Sequence, residues 1–268
     1  MTNNLEGVFT ATKKDGSIYY RSSITYNRKH ISLGSYSDPD SAHKAYLEAD
    51  YLLRHESTPT IQQYSSKSLL AFEKWIVLLN FRDNRMYFST PIYIRPGFFY
   101  YYYSPDLVLK FDIDDLFYYA SHKIMVRGKH YFVADFGMQV NILNRYGIKN
   151  YAVCGRDFYF KNEDPTDFRR ENLVILNQYH GVIMIEEKNK TRYRARIHVN
   201  GNYIIGTYDT MEEAAIAYNK AIDILKRNGC KKQYVQNYVE ISAGMYADIY
   251  TRLPVSSKIY ALTFQNNQ

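Results

Sequence analysis

The segment Lys161-Asn-Glu-Asp-Pro-Thr-Asp-Phe-Arg-Arg-Glu-Asn-Leu173 gathers Asp164, Asp167, Arg169 and Arg170 with the amides of Asn162 and Asn172. Carboxylates at this density, with Asp157 a little upstream, could ligate a divalent metal that offsets charge building on a phosphate. The same groups could equally cap a loop and pair with Arg169 or Arg170, which is structure without reaction. A second constellation is cationic. Arg194, Arg196 and His198 alternate with Tyr193, Ala195, Ile197 and Val199, and Lys188, Lys190 and Arg192 come just before them. A period of two puts the cations on one face of a strand and the apolar residues on the other. Such a face can be solvated, can contact DNA, or can meet a protein. Other chemistry is poorly represented: there is no Gly-rich phosphate loop, no Gly-x-Ser-x-Gly and no His-x-x-x-His. Two cysteines, Cys154 and Cys230, make neither a disulfide framework nor a four-ligand zinc site. The run Phe98-Phe-Tyr-Tyr-Tyr-Tyr103 could stack bases, but it also reads as a strand with one buried and one half-exposed aromatic face.

The elements that must carry these residues follow from an internal repeat. Gly7-Val8-Phe9, Tyr20-Arg21-Ser22-Ser23-Ile24, Leu33-Gly34-Ser35-Tyr36 and Ala42–Tyr46 recur as Gly181-Val182-Ile183, Tyr193-Arg194-Ala195-Arg196-Ile197, Ile205-Gly206-Thr207-Tyr208 and Ala214–Tyr218. From Gly34/Gly206 to Leu53/Leu225 the offset is constant at 172. Upstream it drifts by one or two residues, at the turns Asn27–His30 and Asn200–Asn202, where insertions are tolerated. Each copy predicts three strands followed by a helix. Asn200-Gly201 signals a hairpin. Asp209 or Thr210 caps the second helix and Ser37 or Asp38 the first. Ala214, Ala217, Tyr218, Ala221 and Leu225 fall on one face, matched by Ala42, Ala45, Tyr46, Ala49 and Leu53.

Tyr-Arg-Ala-Arg-Ile, Ile-Gly-Thr-Tyr-Asp-Thr, Glu-Glu-Ala-Ala and Ala-Tyr resemble the apetala-type (ethylene-response-factor) DNA-binding domain, well over residues 180–228 and more loosely over 6–54. That family lays its sheet in the DNA major groove. The resemblance implies contacts from Arg194, Arg196 and His198 in copy two, beside Lys188, Lys190 and Arg192, and from Arg21 in copy one. The departures are specific. Where the family has first-strand arginines, this chain has Ile183 and Ile185, or Phe9 and Ala11. The third strand offers Asn202 and Ile204, or His30 and Ser32. Copy one is therefore expected to bind DNA poorly, and Ile183, Ile185, Ile204 and Phe9 are candidates for meeting a protein instead.

Between the copies, 56–68 reads as a polar linker and 69–178 as a small strand-rich α+β domain. Asp164-Pro165-x-Asp167-x-Arg169-Arg170-x-Asn172-Leu173 resembles the HNH motif of homing endonucleases, which frequently carry an apetala-type domain directly after the nuclease. The resemblance implies that Asn162, Asp164, Asp167, Arg169 and Asn172 are structural remnants. It also places Tyr159 and Phe160 where the family has its Asp-His metal ligand and base. No histidine lies between His130 and His180 to repair that loss, and neither replacement can act as a carboxylate–imidazole pair.

The chain has 268 residues, 34 Lys+Arg against 27 Asp+Glu, and 16% aromatics, enough apolar surface to fold. Its formal charge is +7, of which +4 falls in 180–235, so copy two is the basic module. No run approaches a membrane span and no secretion pattern opens the chain, so a cytoplasmic protein that does not engage membrane is expected. The expected architecture is α+β: an apetala-like module (1–55), the linker, an HNH-like domain (69–178), an apetala-type module (179–235) and a tail (236–268). The tail carries a short helix over Ala243–Leu253. The leading expectation is a non-cleaving, double-stranded-DNA-binding protein of phage or mobile-element descent, without metal or cofactor. The alternative is an anti-defence inhibitor that binds a host protein complex through the same scaffold.

Overall fold

The computed structural model describes residues 5–55, 59–150 and 152–264. Residues 1–4 of the expected first module, 56–58 of the expected linker and 265–268 of the tail lie outside the described residues. The fold is mixed α+β, built from small antiparallel sheets, four of them three-stranded among the described residues. No helix among the described residues is long and apolar enough to cross a membrane. The chain divides into two compact units, one made of Met1–Ile142 with Asp164–Asn172 and the other of Leu143–Glu163 with Leu173–Gln268.

The first unit opens with β1 (Val8–Thr12), β2 (Ile18–Tyr26) and β3 (Lys29–Tyr36), paired antiparallel in that order. Helix α1 (Pro39–Arg54) covers the sheet with Ala42, Ala45, Tyr46, Ala49, Leu52 and Leu53. Asp38 caps it by accepting from the Ser41 amide at 2.7 Å, and Pro39 starts it with a fixed φ. Thr60 and Tyr64 are held by the next helix: the Trp75 indole donates to Thr60 O at 3.3 Å and Tyr64 lies edge-on to Phe72 and Trp75. Helix α2 (Phe72–Asn84) joins the α1 core through Trp75, Ile76, Leu78, Leu79 and Phe81. Then come β4 (Ile92–Arg95), β5 (Phe98–Ser104) and β6 (Leu107–Asp112), a short helix α3 (Leu116–Ser121), and β7 (Ile124–Arg127), β8 (His130–Asp135) and β9 (Met138–Asn141). In β5 the aromatic run divides by parity. Phe99 and Tyr101 are buried, while Phe98, Tyr100 and Tyr102 form a ladder of edge-to-face rings on the other side.

The second unit holds the two-stranded pair β10 (Phe158–Phe160) and β11 (Leu173–Ile175), then β12 (Val182–Glu187), β13 (Lys190–His198), β14 (Asn202–Tyr208) and α4 (Met211–Arg227). Thr210 caps α4, its hydroxyl accepting from the Glu213 amide at 3.1 Å. The hairpin expected at Asn200-Gly201 exists, but as a three-residue loop. The left-handed two-residue turn belongs instead to Lys188-Asn189, at φ 50° and 61°. The described part of the tail, up to residue 264, packs on the module. Helices α5 (Ala243–Arg252) and α6 (Ser257–Tyr260) pack on the α4 core through Val239, Leu253 and Ile259. Asn219 and Asn237 are locked by reciprocal bonds: Asn219 Nδ2 donates to Asn237 O (2.9 Å) and Asn237 N to Asn219 Oδ1 (2.7 Å). Lys220 Nζ donates to the carbonyls of Tyr250, Thr251 and Leu253 at the end of α5, where a cation also meets the negative helix terminus.

Matching positions of the two copies are held by matching contacts. Gly7 and Gly181 have φ of 74° and 70°, and a Cβ there would sit 2.1 Å from the Tyr46 ring or 2.3 Å from Arg196 O. Each glycine carbonyl accepts from the middle strand, Gly7 O from Ser23 N (3.0 Å) and Gly181 O from Arg196 N (2.7 Å). Each third strand is bulged, so that Leu33 and Ile205 are the extra residues and both are buried. Tyr36 and Tyr208 then donate to Leu69 O (3.0 Å) and Pro254 O (2.7 Å), tying each sheet to the segment that covers its helix. Gly181→Ala should therefore destabilise the second unit by about 2 kcal/mol or more, through left-handed strain and overpacking, read as a lower Tm. Ser22 has a fully buried hydroxyl with no hydrogen-bond partner among the described residues, where copy two has Ala195. Ser22→Ala should raise the unfolding midpoint, by up to about 1 kcal/mol of stability.

Candidate nucleic-acid interface

The antiparallel register decides which side chains share the face of β12–β14 turned away from α4. Ala195, Ile197, Val182, Ile205 and Tyr208 point into the α4 core. Directly opposed pairs on the other face are Ile185 with Arg192, Ile183 with Arg194, Arg194 with Thr207, Arg196 with Ile204, and His198 with Asn202. The bulge at Ile205 is what brings both Ile204 and Thr207 to this side. The residues expected to contact DNA and those expected to contact protein therefore lie on one surface. They do not form one apolar patch, because β13 and its arginines run between the isoleucines of β12 and Ile204 of β14. Ile183 and Ile185 are half-buried beside those arginines, whereas Ile204 is 55% exposed.

The cations differ in what already holds them. Arg192 is committed within the module: its guanidinium donates to Tyr208 O and Thr207 O, both at 3.2 Å, and pairs with Asp209 at 3.1 Å. Sequence reasoning missed this role because backbone carbonyls leave no side-chain signature. Arg194 and Arg196 are half-buried, and their side chains make no hydrogen bond or ion pair with any described residue. His198 Nδ1 lies 3.2 Å from Asn202 Oδ1. Lys188 and Lys190 are exposed at the β12–β13 turn, but Lys190 stands opposite Glu187, which weakens the positive field there. In copy one, Arg21 donates to the Tyr19 hydroxyl at 2.7 Å and lies over its ring, next to Phe9, which is 56% exposed.

Asp157, Asp164 and Asp167 are engaged by neighbouring groups. In the first unit, buried Asp167 receives a two-pronged contact from Arg169 (2.9 and 2.8 Å), and Asn172 Nδ2 donates to Asp167 O at 2.8 Å. Asp164 accepts from the amide and hydroxyl of Thr166, at 2.9 and 2.7 Å. Phe168 anchors the loop by stacking on Phe111 at 5.5 Å. In the second unit, where Asn162 also lies, buried Asp157 pairs with Arg156 and accepts from Val153 N (2.8 Å) and Asn177 Nδ2 (3.0 Å). Asn177 also accepts from Met184 N at 2.8 Å, which ties this loop to β12. Tyr159 and Phe160 pair with β11 as strand residues. Among the described residues no group of three or more His, Cys, Asp or Glu side chains is placed to hold a metal ion.

Burial alone would raise Asp167, but the Arg169 contacts and the Lys110 charge more than offset it and hold the carboxyl below its ordinary value of 3.8. A depressed carboxyl contributes stability above its unfolded value and loses it as pH falls through the folded one. Asp167→Asn should therefore lower stability at pH 7 by roughly 1–3 kcal/mol. The gap to the parent should close as pH drops below 3.8, which chemical denaturation across pH 2–7 would show.

Comparison of the chain with protein-family models, with curated proteins and with solved structures finds no match in any of the three.

Proposed function

We propose that the second unit binds double-stranded DNA through the outer face of β12–β14, and that the chain does not cleave it. The observation that carries this reading is the pair Arg194 and Arg196 on the middle strand, whose guanidinium groups have no hydrogen-bond or ion-pair partner among the described residues while neighbouring Arg192 is engaged. Two uncommitted guanidiniums flanked by His198, Asn202 and Thr207 form a row of donors of the kind that phosphates and base edges accept. The resemblance of 180–228 to apetala-type domains supports the same face. The absence of cleavage rests on Tyr159 and Phe160 standing where a nuclease of the HNH type needs its carboxylate and imidazole, and on Asp157 and Asp167 being held by arginines. Phage or mobile-element descent follows from the same resemblance.

A second reading, an inhibitor that binds a host protein complex, draws on the exposure of Ile204 and Phe9. Isolated exposed apolar residues are common on protein surfaces, and in the second unit arginines run between Ile204 and the isoleucines of β12, so the DNA reading is the better supported.

Fluorescence anisotropy on a labelled random-sequence duplex over a series of salt concentrations tests the proposal. Arg194→Ala/Arg196→Ala should weaken binding and flatten the slope of log K against log salt by about one unit per lost phosphate contact. An unchanged slope would overturn the DNA reading. Cutting of plasmid DNA in magnesium or manganese would overturn the non-cleaving part. A stoichiometric protein partner that survives nuclease treatment and is lost on Ile204→Asp would establish the second reading instead.

A further inference from the structure

Three separate segments of the second unit meet at the end of the β12–β14 sheet where β12 begins and β13 ends. Gly147–Asn150, Gln178–His180 and Val235–Glu240 line a continuous groove, with a main cavity of about 460 Å³ and an adjoining one of about 390 Å³ that share Lys149, His180 and Val235. The walls are braced by hydrogen bonds between side chains and backbone. His180 N donates to Asn237 Oδ1 (2.7 Å), Asn237 Nδ2 donates to His180 O (3.1 Å), and Asn219 holds Asn237 from behind. Lys232 Nζ (2.9 Å) and the Tyr234 hydroxyl (3.1 Å) donate to His198 O and fasten the third segment across the sheet end. The groove is thus preformed by backbone contacts.

Its chemistry is uneven in an informative way. Lys149 and His180 face the same cavity, close enough that, after burial, the Lys149 charge is what pushes the His180 imidazole below its ordinary value. Glu240 is the one acid among the described lining residues. Tyr238 lines the same cavity as Lys149, is 85% exposed, and makes no hydrogen bond or ring contact with any described residue. A tyrosine in that position adds nothing to the core. The groove adjoins the sheet through the backbone: the carbonyl of Gly181, next to His180, accepts from Arg196 N at 2.7 Å.

We infer that this groove holds an unpaired nucleotide of a nucleic acid strand leaving the β12–β14 face, its phosphate met by Lys149 and its base stacked on Tyr238. The chemistry selects a single-stranded segment because both faces of a base inside a duplex are already covered, whereas an exposed ring offers a π-surface to any unstacked base. The inference rests on the proposed DNA-binding face and makes that site a reader of duplex–single-strand junctions.

The test compares a blunt duplex with the same duplex carrying a short oligothymidine extension, both labelled and titrated against the full chain. Wild type should favour the tailed probe by about fivefold or more, as expected for one stacked base. Tyr238→Ala should erase that preference and leave blunt-duplex binding unchanged, and Tyr238→Phe should retain it. Lys149→Ala should lower the salt slope on the tailed probe only. Equal binding of tailed and blunt probes by wild type, or a preference that survives Tyr238→Ala, would overturn the groove assignment. The two failures are separable: if blunt-duplex binding still depends on Arg194 and Arg196, the face stands and the groove alone is wrong, whereas no binding to either probe removes both.

Discussion

A three-stranded sheet with one helix on it buries little, and the far side of that helix remains apolar; such a module needs something more to close its core. Both modules meet this constraint in the same way. Helix α1 turns its second face to α2, with Leu52 and Leu53 joining Trp75, Ile76 and Leu79 in one cluster. Helix α4 turns its second face to the tail, with Ile222, Ile224 and Leu225 joining Val239, Leu253 and Ile259. The tyrosines that end the third strands reach those covering segments through their hydroxyls, so sheet, helix and cover are fixed by one hydrogen bond as well as by the shared core. On the outer face of the second sheet only Arg192 is drawn into this closure, through the carbonyls of Thr207 and Tyr208, while the side chains of Arg194 and Arg196 take no part in it.

The polar groups divide along the same line. Those on the loops are spent on the fold: Asp157, Asp167, Asn172 and Asn177 are buried and each holds a backbone amide or carbonyl of its own loop. Arg82, near the end of α2, donates to Leu52 O (3.0 Å) and Pro59 O (2.9 Å), closing the last turn of α1. In a buried setting an acid held by an arginine is a structural clamp, and removing either partner strands the other. Acid–arginine spacing alone does not distinguish such a clamp from a metal site.

The repeat, the strand alternation, the caps Asp38 and Thr210 and the buried faces of α1 and α4 were legible in the sequence, because each depends on residues within one or two turns of one another. Helix α5 was legible for the same reason. What covers α4 was not. Asn219 and Lys220 look like solvent-facing polar residues, and only the folded tail turns them into partners for Asn237 and the end of α5. The engagement of Arg192 was equally hidden, since it depends on the carbonyls of β14. The groove at the sheet end had no local signal at all, because its lining comes from three segments spread over nearly a hundred residues.

The carbonyl at the end of each middle strand shows how two copies of one plan can part ways. In the first copy Thr25 O accepts from Arg54 of the module's own helix, at 2.9 Å. In the second, His198 O at the corresponding position is taken by Lys232 and Tyr234, which come from beyond the helix. A self-contained closure leaves the module's edge finished. An outsourced one recruits downstream chain across that edge and makes every later change in that chain a change to the module's rim. Holding one acceptor by an external donor instead of an internal one is thus enough to give one copy a surface that can be remodelled without touching its core.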